Sequence, residues 1–97
     1  MKLSENEKTL KREMIIFISN NFDERLDQIQ TEVDFRKRLE FDSLDEVELN
    51  MAIEEALLEL HRINIEYDDN NNLVQFKTLD ELANEYIRII KYYAEEK

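Results

Sequence analysis

The stretch Phe41-Asp42-Ser43-Leu44-Asp45-Glu46-Val47-Glu48-Leu49 decides how the chain is read. A serine stands between two acids where a loop gives way to a run of helical periodicity, and Glu46 follows it at the third position. A Ser hydroxyl accepts a hydrogen bond from an orphan amide of a first helical turn, while a Glu three residues on bonds back to the cap amide. Ser43 is therefore expected to cap a helix in a capping box with Glu46. Ser4 with Glu7 and Thr78 with Glu81 have the same spacing, which marks two more helix starts.

The helix from Ser43 is expected to run to roughly Leu60. At 100° per residue it carries two apolar stripes, Leu44, Val47, Met51 and Leu58 on one side and Leu49, Ile53, Ala56 and Leu60 on nearly the other. One stripe serves the core. Leu58 is expected beneath the long connection that precedes the helix, whereas Leu44, Val47 and Met51 lie just below Ser43 and are bordered by Asp45, Glu48, Glu54 and Glu55. Apolar residues ringed by acids suit a transient docking surface, the centre supplying affinity and the rim steering approach.

A first helix is expected over residues 4 to 18, with Leu10, Met14, Phe17 and Ile18 at three- and four-residue intervals and Asn20 and Asn21 ending it. The last helix begins at Thr78 and extends to about Ala94, with Leu79, Leu82, Ala83, Tyr86, Ile90 and Tyr93 on one face; the tail Glu95-Glu96-Lys97 is expected to fray. Between the first two helices runs a long connection, from about Ser19 to Asp42. Phe22, Leu26, Ile29, Val33, Phe35, Leu39 and Phe41 pin it to the core, and residues 23 to 29 suit a short helix. Residues 61 to 77 fit two short strands around an Asn-rich turn, or a loop with a short helical turn; the loop is preferred.

Ninety-seven residues make one domain, spanning 1 to 97. The chain holds no Gly, Pro or Cys, so tight hairpins, disulfides and thiolate metal sites drop out. Asp68, Asn70 and Asn72 start a calcium-loop spacing, but Leu73 and Leu79 stand where its Gly and Glu belong, and no metal is expected. With neither a signal-peptide pattern nor an apolar run of about 18 residues, the expected location is cytoplasmic, without a transmembrane segment.

The net charge is -11, and it is unevenly placed. Residues 39 to 76 contain eleven acids and one base, Arg62; the remainder has thirteen acids and twelve bases. Such a cluster speeds encounter with a basic partner and argues against nucleic acid. No catalytic set is expected either, because the only His, His61, lies past the far end of the Ser43 helix, about 27 Å away at 1.5 Å per residue.

Phe35, Leu39, Asp42, Ser43, Leu44, Asp45, Val47, Glu48, Leu49, Glu54 and Glu55 together resemble the acyl carrier protein family, in which a Phe and a Leu four residues later precede an Asp-Ser-Leu motif and an acidic helix. The resemblance is specific over residues 35 to 55. It implies an all-α fold, a small bundle of three main helices plus a short helix or turn, with a long connection between the first two. It also implies that Ser43 carries 4'-phosphopantetheine, attached in trans by a phosphopantetheinyl transferase from coenzyme A, and that the arm bears an acyl thioester for fatty-acid or related biosynthesis.

On this resemblance Asp42, Leu44, Asp45, Val47, Glu48, Met51, Glu54 and Glu55 meet basic grooves on acyl-transferring and chain-elongating enzymes, and the carrier works as a monomer. An interior lined by Phe17, Ile53, Leu79 and Tyr86 is where a cargo would fold. Arg36-Lys37-Arg38 departs from the family pattern and is expected either to pair with nearby acids or to face solvent. The alternatives are an unmodified acidic interaction module of the same fold and a carrier for aminoacyl or polyketide units.

Overall fold

The computed structural model describes residues 3–95, which form four α-helices and no strand. They are α1 (Glu5–Asn21), α2 (Phe35–Arg38), α3 (Ser43–His61) and α4 (Leu79–Glu95), with a 3-10 turn at Glu24–Gln28. The expected small all-α bundle is the fold found. Among the described residues no helix is long and apolar enough to cross a membrane.

Two of the three expected caps form as drawn. The Ser4 hydroxyl accepts from the Glu7 amide at 3.2 Å while the Glu7 carboxylate accepts from the Ser4 amide at 3.0 Å. Thr78 and Glu81 exchange the same pair of bonds, both at 3.1 Å, at the start of α4. Each satisfies orphan amides of a first turn. Because the chain has no glycine, the left-handed position that ends α3 falls to Arg62, at φ 59°. A Cβ there costs about 1 kcal/mol. The amides of Arg62 and Ile63 bond back to the Leu58 and Leu57 carbonyls, which offsets that cost.

The three long helices bury one core. α1 contributes Leu10, Met14 and Ile18, α3 contributes Leu49, Ala52, Ile53, Ala56 and Leu57, and α4 contributes Leu79, Leu82, Ala83, Tyr86, Ile87 and Ile89. On α3 this is one stripe at positions i, i+3, i+4, i+7 and i+8, the spacing of a single helix face. The expected second stripe is thus the core one, except that it turns inward at Ala52 and Leu57. Leu60 leaves it and is exposed. Leu58, expected under the long connection, is 48 % exposed, because that connection packs Leu26 and Phe35 into the core from elsewhere.

The connection of residues 22 to 42 is well anchored. Phe41 packs edge-on against Phe22 and Phe35, at 5.7 and 5.4 Å between ring centroids. The short helix expected around 23 to 29 is the 3-10 turn, while α2 was not anticipated. Residues 62–78 contain neither the alternative strands nor a helix. They form an irregular connection with a tight turn, Phe76 amide to Leu73 carbonyl at 3.0 Å, and one isolated bridge from Asp34 to Thr78. Glu95 is still helical; Glu96 and Lys97 of the expected frayed tail lie outside the described residues.

Candidate functional site

The start of α3 is built differently from its sequence reading. Asp42, not Ser43, is the cap: its carboxylate accepts from the Asp45 amide at 2.9 Å, and the Asp45 carboxylate accepts from the Asp42 amide at 3.0 Å. Asp caps a helix as well as Ser does, so the register shifts back by one residue and Ser43 becomes the first helical position. Its side chain is exposed. The Asp42 carbonyl takes the Glu46 amide. The amides of Ser43 and Leu44 have no partner among the described residues, so two open donors and the positive end of the helix lie in the turn that carries Ser43.

Glu46, freed from the capping box, has another duty. It meets the Arg36 guanidinium, whose Nε donates to the Phe76 carbonyl at 2.9 Å and whose Nη2 donates to the Leu73 carbonyl at 2.5 Å. The guanidinium also lies 5.0 and 5.7 Å from the Phe35 and Phe41 ring centroids. Arg36 is only 7 % exposed, whereas Lys37 and Arg38 face solvent. One arginine therefore joins α2, the first turn of α3 and the connection before α4. The basic triplet divides: its first member pairs with an acid inside, and the other two do what a solvated charge does.

Leu44, Val47 and Met51 are exposed at 62 %, 53 % and 57 %. With Glu48 and Glu55, also exposed, they form the apolar-centred acidic face expected from the sequence. The other acids of that face are partly occupied. Asp42 and Asp45 cap the helix, and Glu54 accepts from the Tyr67 amide at 2.6 Å, holding the later connection against α3. That connection and α3 enclose a groove of about 600 Å³ that begins at Ser43, passes Val47 and Met51, and is closed on its far side by Tyr67 and Val74. Burial, with the Glu85 and Glu54 carboxylates nearby, pushes the Tyr67 phenol above its ordinary value, so it stays neutral.

Ile53, Leu79 and Tyr86, expected around a cargo-holding interior, are at most 1 % exposed and belong to the packed core, with Phe17 at its edge. The Tyr86 hydroxyl donates to Glu13 at 2.5 Å, and His61 Nε2 lies 2.5 Å from the same carboxylate oxygen. His61 is thus engaged at the opposite end of α3 from Ser43. Among the described residues no group of three or more metal-ligating acids, histidines or cysteines comes together. No family model, curated protein or solved structure matches the chain significantly.

Proposed function

We propose that this chain is a carrier whose Ser43 hydroxyl receives a 4'-phosphopantetheine arm, on which acyl units travel as thioesters for fatty-acid or related biosynthesis. The observation that supports it most is the exposure of Ser43 at the first position of a 19-residue helix, beside unpaired amides and directly above the uncovered side chains of Leu44, Val47 and Met51. In the modification the Ser43 oxygen attacks the β-phosphorus of coenzyme A. The bond to the adenosine bisphosphate breaks, that group leaves, and the hydroxyl proton passes to a base of the transferase. The chain itself supplies no catalytic residue. A phosphodiester formed there lies where a helix N-terminus favours an anion.

The acidic face is the surface on which a transferase and acyl-transferring or chain-elongating enzymes with basic grooves would dock. Its mechanism as a carrier is tethering, which raises the effective concentration of cargo at each partner.

A second reading, an unmodified acidic interaction module, is favoured by one observation: the Asp42 and Asp45 carboxylates flank Ser43 and repel a phosphate. Intact mass after incubation with coenzyme A and a broad-specificity transferase separates the two. The carrier gains one phosphopantetheine, and the gain disappears in Ser43→Ala. No gain with several competent transferases, each verified on a known substrate, would leave the unmodified module as the answer.

A further inference from the structure

A second groove, of about 580 Å³, lies between the outer face of α1 and residues 27 to 31, and it shares no residue with the groove at Ser43. Its volume is within the range of about 300–1,000 Å³ usual for small-molecule sites. Lys8, Arg12 and Ile16 follow one another at i, i+4 and i+8 along α1, so cations give way to an apolar end over about 12 Å at 1.5 Å per residue, and Leu3 also lines the groove. Ile15 and Ile29 line the apolar end with Ile16, which is 46 % exposed.

The cations are not equally engaged. Lys11 is tied to Asp80 and Thr31. Lys8 has only a loose 3.6 Å contact with the almost fully exposed Glu5, and Arg12 has no ionic partner among the described residues. Asp27 also lines the groove, so Lys8 and Arg12 together exceed the uncommitted acids of its lining by one positive charge. In a chain carrying -11, a concave site with uncommitted positive charge at one end and isoleucines at the other matches one chemistry.

We propose that this groove binds a free medium-chain carboxylate, its anionic head between Lys8 and Arg12 and its tail along Ile15, Ile16 and Ile29. A guanidinium holds a carboxylate through paired donors, and the apolar floor rewards the chain. The binding is separate from any modification of Ser43.

Titration of the purified full chain with decanoate, below its micelle-forming concentration, tests this by calorimetry and by amide NMR shifts. The expected result is saturable one-to-one binding, with shifts confined to α1 and residues 27 to 31. Affinity should fall about tenfold or more in Lys8→Glu/Arg12→Glu and in Ile16→Asp, both at exposed positions, and stay unchanged in Ser43→Ala. Decan-1-ol, lacking the charge, should bind at least about fivefold more weakly. Absence of saturable binding, an affinity indifferent to the α1 charges, or shifts centred on Ser43 and Tyr67 would each overturn the proposal.

Discussion

Arg36 and Glu46 stand ten positions apart and meet at the junction of three segments, with the arginine buried and its other donors on the Phe76 and Leu73 carbonyls. This pair sets where α3 begins relative to the connection that walls the Ser43 groove. Removing the buried arginine leaves a partly exposed Glu46 and the Phe76 and Leu73 carbonyls short of donors, at a cost of about 1–3 kcal/mol. Arg36→Ala is expected to lower stability by that amount in urea unfolding, and Arg36→Lys to recover little, since an ammonium cannot span two carbonyls and a carboxylate. A lysine variant as stable as the parent would show that the forked geometry is unimportant.

Ser43 and Asp42 should separate cleanly. With Asp42 as the cap, Asp42→Ala costs about 1 kcal/mol, whereas Ser43→Ala stays within about 0.5 kcal/mol of the parent, as exposed positions do. Thermal melts of the two variants decide it. A large loss in Ser43→Ala would return the capping role to the serine and compromise its use as a modification control.

Much of this was legible in the sequence, and the misses share a cause. The helices follow from local capping and 3.6-residue periodicity, which a single chain displays openly. Adjacent Asp and Ser are equally good caps, so the sequence does not choose between Asp42 and Ser43, and in the structure Glu46 pairs with Arg36 in place of closing a box with Ser43. Arg36 itself looked like one of three surface bases; only the tertiary meeting of residues 36, 46, 73 and 76 distinguishes it. Leu58 and Leu60 were misjudged for a similar reason, since periodicity gives a face but not what covers it. No spacing signal announces the groove at Ser43, whose far wall is a connection without regular structure.

The free acids of the proposed docking face are Glu48 and Glu55, because Asp45 and Glu54 hold backbone amides. Glu48→Lys/Glu55→Lys is expected to slow phosphopantetheine transfer about tenfold at low salt, with the difference shrinking as the Debye length falls below about 8 Å. Circular dichroism should be unchanged. Equal transfer rates at low salt would remove this face from the encounter.

Salt and acid should act on stability through different groups. Added salt screens the repulsion among the clustered acids of residues 39 to 76 and should raise the melting temperature. In acid, the paired carboxylates decide. The Lys91 ammonium, 2.6 Å from Glu7, together with the Ser4 amide holds the Glu7 carboxyl down to about 2 from an ordinary 4.5. Lys11 and then Thr31 lower Asp80 likewise. A depressed folded-state value stabilises the protein above the unfolded value, so Glu7's contribution is present above about 4.5 and lost as pH falls toward about 2. Lys91→Met should therefore lower the neutral plateau and flatten this acid limb in melts across the pH range, while leaving stability near pH 2 unchanged.

Two tyrosines test how buried polar groups contribute. Tyr86 is closed into the core, and its hydroxyl donates to Glu13, which also meets His61; burial, then the Glu13 hydrogen bond and charge, push that phenol up. The Tyr67 hydroxyl is buried with no protein partner among the described residues. Removing a satisfied donor leaves its acceptor short, at about 1–3 kcal/mol, while removing an unsatisfied one relieves a desolvation penalty. Tyr86→Phe should therefore destabilise by about 1–2 kcal/mol, and Tyr67→Phe should be neutral or raise the melting temperature. The same deletion of one oxygen thus acts with opposite sign at two sites in one core, and a Tyr67→Phe variant that melts as low as Tyr86→Phe would show that a bond to the Tyr67 hydroxyl forms in solution.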